Sequence, residues 1–257
     1  MMTILDSILL GIIEGLTEFL PISSTGHLIV LSEILGLEQD NVNKAFEIII
    51  QFAAIMALVF VYPSKFTFSH IELWKKIVVA FLPIGTIGFL FSTQIKNLFS
   101  IEIIAWMFII GGVVFLIIEK FYDENKTHTL DVENISYKQA IFIGMMQVFA
   151  LIPGTSRAGA SIIGAMMAGL NRKTSAEFSF LLAVPVMCAT TGYDLVKHHD
   201  ELLLIGANLL NLAIGFIVSF IVALIVIKLF LKFLEKFTFV AFGIYRIIFG
   251  ILILLIF

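Results

Sequence analysis

Ten stretches of the chain are apolar and helical in pattern, and their lengths divide them into two kinds. Six of them approach the roughly 20 residues that a helix needs to cross a hydrocarbon core about 30 Å thick. We predict six membrane crossings, at Phe46–Tyr62, Lys75–Phe91, Ile101–Ile118, Glu177–Val196, Leu202–Ile227 and Phe239–Phe257.

The other four apolar stretches are too short to cross, and they form two pairs, each interrupted by a short polar turn. The first pair is Met2–Leu20 and Thr25–Leu37, and the second pair is Tyr137–Leu151 and Ser156–Leu170. A helix of about 15 residues rises only about 22 Å. A polar turn at membrane depth is tolerated only where protein or a water-filled cavity covers it. We therefore predict two re-entrant helical hairpins whose tips meet inside the membrane.

The two halves of the chain resemble each other. Gly11-Ile-Ile-Glu14 recurs 133 residues later as Gly144-Met-Met-Gln147, and a turn with a proline follows each of them. Each half holds one hairpin and three crossings, so the second half must be inverted relative to the first. The pattern thus predicts an all-α polytopic membrane protein built from two inverted repeats, each a re-entrant helical hairpin plus three transmembrane helices. It forms a single membrane domain over 1–257, with the first repeat at 1–118, a solvated cytoplasmic linker at 119–136 and the second repeat at 137–257.

The composition supports a bilayer protein. Of the 257 residues, 60% are hydrophobic and only 14% are charged, and the mean hydropathy is +1.07. A soluble chain carries about 25% charged residues, so a water-soluble globule is excluded. The net charge of −3 is small and the basic residues are scattered, which argues against nucleic acid as a partner. The single cysteine, Cys188, excludes an intramolecular disulfide.

Basic residues predict the orientation. With the N-terminus outside, three basic residues fall in outer loops and eleven in cytoplasmic loops, which is a clear positive-inside bias. The outer residues are Lys44, Lys96 and Lys197. The cytoplasmic residues are Lys65, Lys75, Lys76, Lys120, Lys126, Lys138, Arg172, Lys173, Lys228, Lys232 and Lys236. We therefore predict both termini and the opening of the first hairpin on the outer face of the membrane.

Two carboxylates mark the first hairpin. Glu14 and Glu18 are four residues apart, so they share one face of a short apolar helix. Charged groups inside a membrane are costly and indicate function, and hard carboxylate oxygens suit Mg²⁺ or Ca²⁺. We predict a divalent metal ion bound by this pair. The alternative is a structural pair that Arg246 or protonation neutralises.

Polar turns follow in both hairpins. The first turn holds Ser23, Ser24, Thr25, Gly26 and His27, and the second turn holds Gly154, Thr155, Ser156 and Arg157. Hydroxyls cap helix starts, which is the structural explanation for at least one of them. Free backbone N–H groups at a helix start also bind anions, and the guanidinium fork of arginine matches phosphate geometry. Two such turns with a bound metal would hold an oligophosphate.

The same two regions contain long motifs. They read Glu14-Gly-Leu-Thr-Glu18-Phe-Leu-Pro-Ile-Ser-Ser-Thr-Gly-His27 and Leu151-Ile-Pro-Gly-Thr-Ser-Arg157. Both resemble the signature motifs of the undecaprenyl-diphosphate phosphatase family, the bacitracin-resistance family of bacterial inner membranes. The resemblance covers the whole chain and includes Ala45-Phe-Glu-Ile-Ile-Ile-Gln51 and Phe242-Gly-Ile-Tyr-Arg246-Ile.

The resemblance implies an enzyme that removes the distal phosphate from the C55 isoprenoid diphosphate carrier and returns the monophosphate for peptidoglycan precursor synthesis. Its implied functional residues are Glu14, Glu18, Ser24, Thr25, His27, Ser156 and Arg157. One departure is visible, because Ala158 stands where the family usually has a serine. This departure argues against an essential hydroxyl at that position and leaves Ser156 and Ser161 as the serines near the arginine.

The predicted mechanism is metal-assisted hydrolysis of a phosphoanhydride. Its catalytic residues are Glu14, Glu18, Ser24, His27 and Arg157, and its phosphate-binding residues are Ser23, Thr25, Gly26, Gly154, Thr155, Ser156 and Arg157. Arg157 and the turn amides would stabilise phosphate charge. His27 suits proton transfer because an unperturbed imidazole titrates near neutral pH, although a structural histidine is the alternative. Ser24 is the candidate nucleophile, and a metal-bound water is the open alternative.

Two other classes of function stay open from the sequence. An inverted-repeat protein could transport an anionic solute or flip a polyprenyl phosphate across the membrane. A structural or receptor role is the third reading. The predicted partners are a polyprenyl diphosphate lipid and the membrane, and the sequence leaves open whether the chain forms a homo-oligomer.

Overall fold

A computed structural model describes residues 2–38, 41–197 and 209–257 of the chain. Within these ranges the protein is all-helical and has no β-strand, only an isolated bridge between Thr129 and Leu170. The described α-helices are α1 (Ile4–Thr17), α2 (Ser24–Ile34), α3 (Asn41–Val61), α4 (Ile71–Leu90), α5 (Ser92–Lys96), α6 (Ile101–Phe121), α7 (Tyr137–Gln147), α8 (Arg157–Met167), α9 (Arg172–Lys197), α10 (Leu209–Leu234) and α11 (Val240–Ile256). The predicted all-α class is confirmed.

Five of the described helices, α3, α4, α6, α9 and α10, are long and apolar enough to cross a membrane. They correspond to the first five predicted crossings, although the beginning of Leu202–Ile227 lies outside the described residues. The sixth predicted crossing, Phe239–Phe257, corresponds to α11. This helix is apolar but has 17 residues, a rise of about 25 Å. Five helices are therefore candidate membrane spans by length and composition, and the sixth crossing stays a prediction.

The four short helices α1, α2, α7 and α8 form where short apolar helices are predicted, and α1 packs on α2 as α7 packs on α8. The first helix of each pair begins with a capping box, formed by Thr3 with Asp6 and by Ser136 with Gln139. In this arrangement two side chains satisfy the backbone N–H groups that a helix start leaves without partners. The final turn of the predicted helix Tyr137–Leu151 is a 3₁₀ turn, so α7 itself ends at Gln147.

Glycines let the short helices approach the long ones. A Cβ atom on Gly11 would lie 2.7 Å from the carbonyl oxygen of Gly215 in α10. A Cβ atom on Gly144 would lie 2.2 Å from the carbonyl oxygen of Ala80 in α4. Both distances are below any real contact, so α1 on α10 and α7 on α4 pack backbone against backbone. Small residues serve this purpose in membrane proteins, where hydrophobicity does not drive helices together.

The predicted linker 119–136 is not solvated throughout. Val132 and Ile135 are buried, and Arg172 donates to Glu119 at 2.6 Å. Lys65 donates to Glu133 at 2.7 Å. Burial is the largest single influence and lowers the pKa of Lys65, but this hydrogen bond and the nearby carboxylate charges together outweigh it and raise the pKa of the ammonium. The segment is therefore held against the ends of α4 and α9.

Candidate active site

Each of the two predicted turns ends in a serine with a left-handed backbone. Ser23 has φ = 69° and Ser156 has φ = 76°, and they are the positive-φ residues other than glycine in the described chain. Each directly precedes a helix, α2 or α8, and they are 133 residues apart, the offset that relates Glu14 to Gln147. Such a backbone costs roughly 1–3 kcal/mol unless its surroundings hold it. The two turns are thus built alike.

Glu18 joins the two turns. Its Oε1 atom accepts a hydrogen bond from Nη2 of Arg157 at 2.8 Å, and its Oε2 atom accepts one from the Ser24 hydroxyl at 2.5 Å. Nη1 of Arg157 donates to the carbonyl oxygen of Ser179 in α9 at 2.9 Å. The Glu18 side chain is 6% exposed and that of Arg157 is 12% exposed. A serine, a carboxylate that can take its proton and a guanidinium therefore meet in one place.

A cavity of about 600 Å³ reaches this group. Its inner end is lined by Glu18, Ser23, Ser24, Thr25, Gly154, Ser156 and Arg157. Its walls are mainly apolar side chains of α4 and α9, such as Ile84 and Met187, and its mouth lies at the exposed residues Phe89, Lys96 and Phe99. The size and lining suit a ligand with a polar head and an apolar body.

Glu14 lies outside the cavity lining. It is fully buried, and neither carboxylate oxygen has a hydrogen-bond partner among the described residues. Its counterpart Gln147 is also fully buried, and its amide atoms have no hydrogen-bond partner in the described part of the chain. A buried carboxylate without a partner is expensive unless a proton or a cation neutralises it. The described residues hold no cluster of three or more His, Cys, Asp or Glu side chains, so none of these side chains joins Glu14 and Glu18 there as a third ligand.

His27 also lies away from the cavity lining, 6% exposed within an aromatic box. Its Nδ1 atom is 2.8 Å from the Ser23 carbonyl oxygen, and its Nε2 atom is 2.6 Å from the Tyr245 hydroxyl. A carbonyl only accepts, so Nδ1 carries the proton, and Nε2 of the neutral ring accepts from Tyr245. The ring stacks on Phe249 at 4.5 Å between centroids. In this position His27 holds the Ser23 carbonyl and does not face the cavity.

The remaining predicted residues have mixed positions. Ser156 caps α8, because its hydroxyl accepts from the Gly159 backbone N–H at 3.0 Å. Gly26 faces Phe108, and a Cβ atom there would lie 2.5 Å from the ring, so close packing explains this glycine. Thr155 does not line the cavity, and its hydroxyl has no partner among the described residues.

Arg246 makes its described bonds to backbone. It donates to the carbonyl oxygens of Pro21 at 3.1 Å, Met107 at 2.9 Å and Gly154 at 2.9 Å, and it is fully buried. None of these bonds reaches Glu14 or Glu18, and the basic side chain that contacts Glu18 is Arg157.

Several contacts escape sequence reasoning. The bond from Ser24 to Glu18 crosses six residues of turn, and the bond from His27 to Tyr245 joins positions 218 residues apart. The 133-residue offset does contain one signal, because it places Ser24 and Arg157 at equivalent helix starts.

Together these features define a class, a polytopic helical membrane protein with a buried polar site at the inner end of an apolar cavity. The chain belongs to the family described as bacitracin resistance protein BacA, which it matches over residues 7–252. It is 63% identical over 257 residues to an undecaprenyl-diphosphatase of Sulfurimonas denitrificans, covering 100% of both chains. It is 59% identical over 255 residues to one of Sulfurovum sp., covering 99% of this chain and 100% of the relative. It is 54% identical over 256 residues to one of Methanococcus aeolicus, covering 100% and 99%.

Proposed function

We propose that the chain hydrolyses undecaprenyl diphosphate to undecaprenyl monophosphate and inorganic phosphate, and so recycles the lipid carrier for peptidoglycan synthesis. The observation that carries this proposal is the meeting of Ser24, Glu18 and Arg157 at the inner end of the apolar cavity. A long apolar chain fits the walls, and a diphosphate fits the hydroxyl and the guanidinium fork. The names of the full-length relatives support the same substrate.

In the proposed reaction the Ser24 oxygen attacks the terminal phosphorus, and its proton passes to Glu18, which already accepts its hydrogen bond. The bond from that phosphorus to the bridging oxygen breaks, and undecaprenyl monophosphate leaves. Water then attacks the phosphoserine, releases inorganic phosphate and restores the serine. Direct attack by water remains the alternative, in which Ser24 only orients the phosphate.

Arg157 stabilises the charge of the transferring group in this scheme. Its two terminal nitrogens are held at fixed positions by Glu18 and by the Ser179 carbonyl. A fork held in this way meets the phosphate without reorganising, which is the main source of electrostatic stabilisation in enzymes. The backbone N–H groups of both helix starts add further donors.

Proton transfer by His27 is not needed in this scheme. As the ring is held, both nitrogens are engaged, with the Ser23 carbonyl and the Tyr245 hydroxyl. Glu18 is therefore the base for the first step, and His27 orients the turn that carries Ser24.

The side chains near the inner end also fit a divalent cation. Both carboxylate oxygens of Glu14 lack partners among the described residues, and Mg²⁺ in phosphate-binding enzymes takes one or two carboxylates and completes its shell with phosphate and water. Glu14 and Glu18 would hold the ion. When bound, it would screen the charge of the diphosphate.

We also propose that the fold consists of two inverted repeats with re-entrant hairpins. Equivalent contacts support this arrangement, because α1 packs on α10 as α7 packs on α4. The left-handed serines Ser23 and Ser156 at the same 133-residue offset support it too. Irregular backbone at membrane depth is acceptable where a cavity covers it, as at these turns.

The site is proposed to open to the outer face of the bacterial cytoplasmic membrane. Its mouth lies beyond the carboxyl end of α4, whereas the basic residues Lys65 and Arg172 lie near the amino ends of α4 and α9. Basic residues favour the cytoplasmic side, so the opposite end faces outwards. Impermeant thiol reagents on intact cells test this in a Cys188→Ala background. Asn97→Cys should react and Asn125→Cys should not, and the reverse pattern would overturn the orientation.

Phosphate release from undecaprenyl diphosphate by purified protein in detergent tests the function itself. The wild type should release phosphate, and a chelator should suppress the release if Glu14 and Glu18 bind metal. A transporter or flippase without hydrolytic activity would release none. Full activity in the presence of chelator would support hydrolysis but would refute the proposed metal ion.

A further inference from the structure

Arg246 has no part in the proposed chemistry, yet it is a fully buried cation whose described hydrogen bonds go to carbonyl oxygens. Burying a guanidinium is costly unless its donors are satisfied. Nη1 donates to the Pro21 carbonyl in the first turn, and Nη2 donates to the Gly154 carbonyl in the second turn. One side chain on α11 therefore donates hydrogen bonds to both turns.

The two carbonyls that accept from Arg246 occupy equivalent positions in the two halves of the chain. Pro21 and Gly154 are 133 residues apart, the offset that also relates Ser23 to Ser156. In each turn the residue whose carbonyl accepts from Arg246 stands three positions before a residue that lines the cavity, which is Ser24 in the first turn and Arg157 in the second. Arg246 thus donates hydrogen bonds to equivalent carbonyls in the two halves and lies between them.

The surroundings fit this single position of the guanidinium. A Cβ atom on Gly111 in α6 would lie 2.2 Å from Nη2 of Arg246, so only glycine leaves room for the fork. The Cζ atom lies 5.3 Å from the centroid of the Phe108 ring, which adds a cation–π contact. Gly154 has φ = 87°, and a Cβ atom there would lie 2.6 Å from the Ile104 carbonyl oxygen. The turn is therefore pressed against α6 next to Arg246.

We infer that Arg246 is a positioning residue that fixes the two turns relative to each other and so sets the placement of Ser24 against Arg157. It acts through backbone and touches no substrate. The kinetic part of this inference rests on the proposed hydrolysis, whereas the link between the turns does not.

Two variants disturb the hydrogen bonds from Arg246 to the two turns in different ways. Arg246→Lys keeps the charge but loses the fork, so it cannot span both carbonyls as the guanidinium does. Gly111→Ala keeps the arginine and pushes its Nη2 atom away from Gly154. The matched controls are Arg172→Lys, whose ion pairs lie at the linker, and Gly192→Ala, where a Cβ atom meets no atom of the described residues within 4 Å.

Amide hydrogen exchange in detergent is the first readout. Both variants should speed exchange in the two turns together, at residues 18–27 and 152–160, while the melting temperature stays near that of the wild type. The controls should leave both turns unchanged. Unchanged exchange in the turns of both folded variants, or faster exchange in one turn alone, would overturn the inference even if the protein hydrolyses nothing.

Phosphate release from undecaprenyl diphosphate is the second readout. A displacement of about 1 Å at a catalytic group can cost about a hundredfold in rate, so kcat should fall by about that factor in Arg246→Lys with KM nearly unchanged. The controls should keep the wild-type kcat. A folded Arg246→Lys protein with wild-type kcat would contradict the positioning role. An inactive wild type would instead refute the proposed function and leave the exchange result to decide on Arg246.

Discussion

The two turns share a backbone and differ in chemistry. Both end in a left-handed serine, both precede a short helix, and Arg246 holds equivalent carbonyls in both. At matching positions, however, the first half has Glu14, Glu18, Ser24 and His27, and the second half has Gln147, Leu151, Arg157 and Ala160.

This difference distinguishes the features that build the site from the side chains proposed to carry out the reaction. The shared features bring the starts of α2 and α8 to the inner end of one cavity. The unshared ones differ in proposed role, because the proposed nucleophile and its base lie in the first half and the guanidinium proposed to bind phosphate lies in the second. A pump with two equal faces would not need its proton-transfer groups in one half, so the asymmetry favours a hydrolase over a pure transporter.

Replacing Ser24, the proposed nucleophile of the first half, should cause the largest loss of kcat. Ser24→Ala removes the proposed nucleophile, and losing a nucleophile costs at least about a thousandfold in kcat. Phosphate release at saturating substrate measures the loss, and rapid-quench trapping detects the phosphoserine in the wild type. Ser7→Ala, a buried serine near the start of α1, is the control and should keep its activity. Near-normal turnover of Ser24→Ala would assign the attack to water.

The contribution of the second half is tested by Arg157→Lys. An ammonium keeps the charge but cannot donate to Glu18 and to a phosphate as a planar fork does, so kcat should fall roughly a hundredfold. Arg172→Lys serves as the matched control. Wild-type activity in Arg157→Lys would mean that positive charge alone is sufficient there.

Substitutions at Glu14 and at Gln147 can each give the two halves the same residue at this position. We expect their effect on kcat to be intermediate. Glu14→Gln should reduce kcat roughly tenfold and raise the metal concentration needed for half-maximal rate, as loss of a metal ligand or its support does. Gln147→Glu places a carboxylate in the other half and should leave the metal dependence as it is. Titration of activity with Mg²⁺ after chelation measures both. Equal metal dependence of Glu14→Gln and the wild type would exclude Glu14 as a ligand.

The smallest effect is expected for the bond between His27 and Tyr245. Tyr245→Phe removes one hydrogen bond, worth about 1 kcal/mol, so kcat should fall about fivefold while the ring stays stacked on Phe249. His27→Ala should cost clearly more, since it also releases the Ser23 carbonyl. If Tyr245→Phe were as damaging as His27→Ala, the hydroxyl itself would take part in catalysis.

Local pattern was sufficient to predict most of the helices. The short helices α1 and α7 and the polar turns at Ser23 and Ser156 follow from apolar length and from the polar residues that interrupt it. The family resemblance carried by the motifs is confirmed. The chain also places Glu18, Ser24 and Arg157 together, as expected for one site.

The remaining contacts depend on tertiary structure. Arg246 donates to backbone carbonyls, and a carbonyl has no residue identity that a sequence can show. The pairing of His27 with Tyr245 depends on how α11 packs on α6, which periodicity does not specify. The linker contacts of Val132 arise in the same way, because a short irregular segment has no apolar period.

Hydrolysis of undecaprenyl diphosphate in ¹⁸O-labelled water tests the proposed reaction most directly. Attack at the terminal phosphorus, through Ser24 and then water, places one labelled oxygen in the released inorganic phosphate and none in undecaprenyl monophosphate. Mass spectrometry of both products from the purified wild type measures this, and Arg157→Lys should form the two products equally slowly. Label in the lipid monophosphate, or no phosphate release by the folded wild type, would contradict hydrolysis at this site.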